Sequence, residues 1–207
     1  MSDLMRVGPV FGGTGTAPPL TAGITGAQRV TDAHGKNFEA VRQGNVYVAT
    51  NVAAQAISVA LATTYTGLCI SNPLGNTKNL SIISAAYALT VAPAAIASLH
   101  LLAGFSSSTN VTHTTPLAAP GIQCALINGS SNAASAKVDS AATIVNPGYL
   151  WPLVSGFTAA ALPSHSLSWV NIDGLFVIQP GGWIAIGALT AVTGFGGLAW
   201  EEVPILL

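Results

Sequence analysis

Adjacent carboxylates at Glu201 and Glu202, single acids at Asp139 and Asp173, four histidines (His34, His100, His113, His165) and two thiols (Cys69, Cys124) are the groups from which chemistry could be built. Neighbouring residues of a strand point to opposite faces, so Glu201 and Glu202 cannot act together as general acid and base. One is expected to face solvent and the other to meet a partner. The histidines are far apart, with no cysteine or carboxylate at metal-ligand spacing. His100 stands in an apolar run and reads as a hydrogen-bonded structural histidine. Asp139 and Asp173 read as turn residues, and one acid per loop does not make a calcium cage. Gly12-Gly13-Thr14-Gly15 has no strand before it, no helix after it and no closing Lys-Ser/Thr pair, so it is not read as a phosphate loop. There is no G-x-S-x-G elbow. The two cysteines lack C-x-x-C spacing and read as reduced, core-facing thiols, with a single bridge between them left open. No enzyme, cofactor or metal site is expected.

The elements that would carry these groups are short on charge. Six Lys and Arg and seven Asp and Glu serve 207 residues, half of them hydrophobic, where about a quarter charged is usual. A monomer of this mass would expose roughly 9,000 Å², or about one charge per 700 Å². Much of the surface is therefore expected to be covered by other subunits. The net charge of −1 and the scattered basic residues disfavour nucleic-acid binding. The segment from Leu80 to Gly104 is uncharged, but Pro93, His100 and several serines break it below the ~18 apolar residues of a membrane span, so no membrane segment is read. No long apolar core follows Arg6, so no secretory signal is read and a cytosolic site of synthesis is expected.

Residues 1 to 27 are rich in Gly, Pro and Thr without helical or strand period, and read as an arm that needs another surface to lie on. The stretch from Arg29 to Arg42 holds five of the thirteen charges. Asp32 with Lys36 and Glu39 with Arg42 have the spacing of helical ion pairs, although Gly35 weakens a helix and an extended charged segment is the other reading. The division expected is an extended arm with a charged docking segment over residues 1–44, then a β-sandwich over 45–207. The docking residues expected are Val10, Phe11 and Leu20 on the arm and Arg29, Asp32, Lys36, Glu39 and Arg42 after it.

From Asn45 the period is two. Val46 and Val48 alternate with Tyr47, and Ile57, Val59 and Leu61 alternate with small residues. Between Ile83 and Val91 the larger residues are odd-numbered from Tyr87 on, and the even ones are Ser84, Ala86, Ala88 and Thr90, a small face suited to close packing. Residues 82 to 102 read as two strands of a hairpin or sandwich corner. Residues 105 to 121 and 128 to 143 read as Ser/Thr/Asn/Ala loops flanking a short strand at 122 to 127. Tyr149-Leu150-Trp151 reads as a loop or edge strand. From Ser166 to Pro204, turn signals at Asp173-Gly174, at Gln179-Pro180-Gly181-Gly182 and at Gly194 to Gly197 divide an expected antiparallel meander. The fold class expected is all-β.

The stretch from Gly67 to Leu80 (GLCISNPLGNTKNL), Gln179 to Ile186 (QPGGWIAI) and Leu198 to Pro204 (LAWEEVP) together resemble virion structural proteins of tailed bacteriophages, over roughly residues 27 to 205. The resemblance implies a jelly-roll-like antiparallel β-sandwich with an extended N-terminal arm. It further implies a capsid decoration (cement) protein that sits on the virion surface against the major capsid protein as a homo-oligomer, commonly a trimer, assembled in the host bacterial cytoplasm. The alternative expectation is a tail or baseplate module that binds a receptor or carbohydrate through Trp151, Trp169 and the Ser/Thr loops.

Overall fold

A computed structural model describes residues 35–59, 61–91, 93, 95, 97–118, 121–127, 132–157 and 167–205. The chain divides after Phe38, and the second unit, Glu39–Leu207, contains the sandwich. The elements in chain order are a short helix α1 (Phe38–Arg42) and strands β1 (Val46–Thr50), β2 (Gln55–Ala56), β3 (Thr64–Ser71), β4 (Lys78–Val91), β5 (Ala97–Phe105), β6 (Thr112–Pro116), β7 (Ile122–Cys124), β8 (Lys137–Thr143), β9 (Gly148–Phe157), β10 (Leu167–Asn171), β11 (Val177–Ile178), β12 (Gly182–Ala188) and β13 (Thr193–Pro204).

Two antiparallel sheets form the sandwich. The first runs β10-β4-β13-β1-β7, with β11 also on β4 and β2 on β13, and the second runs β6-β8-β3-β12-β5-β9. Eight strands carry the wind: β1, β3, β4, β5, β9, β10, β12 and β13. Counted one to eight, they lie in the orders 1-8-3-6 and 2-7-4-5, the two interlocked Greek keys of a jelly roll. The small strands β6, β7 and β8 extend the sheets on one side.

The period of two places the core. Leu80, Ile82 and Tyr87 of β4, Leu198 and Trp200 of β13, Leu68 and Ile70 of β3, Leu99 and Leu101 of β5, and Ile184 and Ile186 of β12 fill the space between the sheets. Trp200 is fully buried and stacks on Tyr47 at 5.8 Å between centroids. Full burial of each such large side chain is worth about 1.5–3 kcal/mol. Strand β12 is buried on both faces, because Trp183 and Ala185 point away from that core into a second cluster with Tyr65, Cys69, Leu102, Val111 and Ile144. Both cysteines are buried free thiols.

Turn chemistry explains several joints. Asp173 and Gly174 both have positive φ (53° and 82°), and Leu175 N–H donates to the Ile172 carbonyl, the type I′ geometry that Asp-Gly favours. In the turn from Gln179 to Gly182, Pro180 takes the second position and Gly181 the third with φ of 90°, and Gly182 N–H donates to the Gln179 carbonyl. A Cβ at Gly181 would lie 2.2 Å from the Ser106 carbonyl oxygen.

Several expectations need correction. The segment from 166 to 204 is not a meander: β10, β11 and β13 belong to the first sheet while β12 belongs to the second, because the jelly-roll wind crosses the sandwich between β11 and β12 and again between β12 and β13. Of the two readings of residues 82 to 102, the corner holds and the hairpin does not, since β4 and β5 lie in opposite sheets. Gly194 to Gly197 make no turn but lie inside β13, where a Cβ on Gly196 would press on Leu68 and Asn51, so glycine there permits close approach of the sheets. Among the described residues 57–59 and 61 there is no strand beyond an isolated bridge of Val59 to Ala188. The two expected loops each contain a strand, β6 and β8, whose polar residues are paired at the margin of the second sheet.

Candidate functional site

The middle of the outer face of the first sheet is uncharged and built mostly of small side chains, bounded by the exposed Trp169 ring on β10 and by Glu201 farther along β13. Cα pairing aligns Trp169, Ala86, Gly197 and Thr50 in one row and Asn171, Ser84, Ala199 and Val48 in the next. These are the even-numbered residues of β4 expected to make a small face, while Tyr87 turns inward. Neither row carries a charge. Residues 45–207 contain six charged side chains, Lys78, Lys137, Asp139, Asp173, Glu201 and Glu202, and Asp139 and Glu202 are buried. The surface of the sandwich thus rests on four.

At the opposite margin the end strands β9 and β10 of the two sheets approach each other. Tyr149, Trp151 and Trp169 are exposed there. Two of these rings are held by edge contacts, Trp151 by Phe176 at 5.9 Å and Tyr149 by His100 at 5.4 Å between centroids. Phe176, which holds Trp151, also lines a groove of about 510 Å³ with Phe105, Leu150, Leu175, Val177 and Trp183. His100 also hydrogen-bonds the Ser98 hydroxyl at 3.0 Å, the structural role expected of it.

Two carboxylates lie inside the protein. Glu202 shares the inward face of β13 with Leu198 and Trp200 and is 1% exposed. It accepts bonds from Ser135 N–H (2.7 Å), Ser135 hydroxyl (2.6 Å), Ala136 N–H (3.0 Å) and Lys78 Nζ (2.9 Å). Burial pushes its carboxyl up, but those bonds outweigh burial and hold it below the usual carboxylate range. The two glutamates therefore do point apart, as expected, but Glu202 meets its partners within its own chain. Asp139 lies within β8 rather than in a turn and is fully buried. Its Oδ2 accepts from His113 Nδ1 at 2.6 Å. Burial pushes this carboxyl up, with the His113 bond and charge opposing. Burial and the Asp139 charge also push the adjacent Cys69 thiol up, which keeps it protonated and unreactive. Spacing offered no signal for the His113–Asp139 pair, since 26 residues separate them and the β6–β8 ladder alone unites them.

Of the expected docking residues, Val10, Phe11, Leu20, Arg29 and Asp32 lie outside the described residues, as do His34 and His165. Lys36 is exposed in the turn before α1. Glu39 and Arg42 lie one helical turn apart on α1 and pair through Oε2 at 2.9 Å to Nε and 2.8 Å to Nη2. At side-chain exposures of 60% and 55% this is a solvated pair of little stabilising weight. Among the described residues no group of three His, Cys, Asp or Glu is placed to hold a metal ion, and no helix is long and apolar enough to cross a membrane. No protein-family model matches the sequence, and neither a curated protein nor a solved structure is significantly similar to it.

Proposed function

We propose that the protein is a structural component of a tailed-bacteriophage particle, a capsid decoration protein that binds the outside of the shell beside the major capsid protein and stabilises it as a homo-oligomer, taken to be a trimer. The observation that carries this reading is the uncharged patch of mostly small residues in the middle of the outer face of a jelly roll whose whole sandwich has six charged residues. Such a face is poorly suited to permanent exposure and well suited to close packing against a like surface. The jelly roll is also the fold that the resemblance to phage virion proteins implies. In this reading the arm and the segment through Arg42 grip the shell while the sandwich forms the exposed body. The test is copy number in purified virions together with rebinding to particles that lack the protein: hundreds of copies and saturable rebinding are expected.

The exposed rings of Tyr149, Trp151 and Trp169, with a groove that Phe176 links to Trp151, favour a second reading, a tail or baseplate module that binds a glycan or receptor. A few copies per particle would select it over the first.

A further inference from the structure

Strand β6 is the outermost strand of the second sheet, and all five of its residues are exposed. Its ladder with β8 is interrupted by two register shifts. Its flanks are anchored by apolar side chains: Val111 is buried in the outer cluster, and Leu117 packs on the core with its N–H bonded to the Val138 carbonyl at 2.8 Å. Between these anchors, the Ser140 hydroxyl reaches the Thr115 carbonyl at a long 3.4 Å, and His113 Nδ1 donates to Asp139 Oδ2 at 2.6 Å. Asp139 is 0% exposed, and its second oxygen, Oδ1, has no hydrogen-bond partner.

We infer that β6 is a proton-held flap, with the His113–Asp139 pair as the latch that closes it onto β8. When the imidazole is protonated, the pair is neutral as a whole and the buried carboxylate has a counter-ion. When that proton leaves, a buried negative charge keeps one neutral N–H donor, an arrangement that burial penalises. Few other groups could compensate. On β3 the Cys69 thiol stays protonated, and the single Tyr65 O–H is committed between the Leu68 and Ile186 carbonyls. Strand β12 faces this cluster with Trp183 and Ala185, which carry no charge. Lys137 lies two residues along β8 and is exposed, and the rest of β6 is threonine and proline.

The direction agrees. A carboxyl raised by burial, as Asp139 is from 3.8, contributes stability below its unfolded value and loses it as pH rises. Each proton lost loosens the flap. A lifted β6 leaves β8 as the sheet edge, with a row of N–H and C=O groups open to another strand.

The test is amide hydrogen exchange on the full chain at about pH 5.5 and about pH 8, corrected for the intrinsic pH dependence of exchange, with β4 and β13 as internal reference. Protection of the β6 and Leu117 amides should fall about ten-fold relative to that reference as pH rises. Asp139→Asn keeps an acceptor for His113 but carries no charge, and should abolish the pH response. His113→Gln should abolish it too, and because it changes an exposed edge residue it serves should Asp139→Asn fail to fold. A purely structural tie would lower protection equally at both pH values. A wild-type ratio that does not change with pH, or a response that survives in a folded variant, overturns the inference.

Discussion

Replacing Glu202 tests whether a buried carboxylate organises the segment before β8. Four donors converge on it at 2.6–3.0 Å. Lys78 has a side chain 32% exposed and can rehydrate, so its bond contributes little to the net loss. The backbone N–H groups of Ser135 and Ala136 cannot move to water without displacing the segment, and an orphaned buried donor costs about 1–3 kcal/mol. Glu202→Ala should therefore lose about 3–5 kcal/mol, in the range found when one partner of a buried pair is removed. That corresponds to a fall in Tm on the order of 10 °C for a domain of this size. Glu202→Gln, which keeps one acceptor and the shape, should lose about half as much. The pH dependence gives a second reading. The folded carboxyl lies below its ordinary 4.5, so its stabilisation is complete above that value and is lost as pH falls through the folded value. Urea titrations at pH values spanning this window should show the wild type losing its advantage over Glu202→Gln in acid. An alanine variant that loses less than about 1 kcal/mol, or an advantage over Glu202→Gln that does not change with pH, would refute the reasoning.

Gly181→Val should destabilise the fold by more than about 2 kcal/mol, read by thermal denaturation, because φ is 90° and its Cβ would meet the Ser106 carbonyl. Ala199→Lys puts a charge into the uncharged patch of the outer face; the monomer fold by circular dichroism should persist while light scattering shows a smaller oligomer. An oligomer of unchanged size would place the interface elsewhere. Deleting residues 1–27 should change thermal stability little and abolish binding to particles that lack the protein. Decoration at full occupancy by the truncated chain would move the attachment onto the sandwich.

The local terms were legible in the chain alone. Alternation in β4 separated Tyr87 from Ala86 and Ala88, and Asp173-Gly174 and Pro180-Gly181 specified their turns, because period and φ preference are properties of a few adjacent residues. The burial of Glu202 was also within reach, since Leu198, Trp200 and Glu202 share one parity and a carboxylate in line with two core residues must find donors. Sheet membership was not legible: β12 and β13 follow one another in the chain yet lie in opposite sheets, and nothing local to the turn between them selects a crossing over a hairpin. Gly194 to Gly197 look like a turn until β4, β1 and Leu68 stand beside them. The His113–Asp139 pair is purely tertiary, because strand pairing brings 26 residues of separation down to 2.6 Å, and only burial gives that contact its consequence.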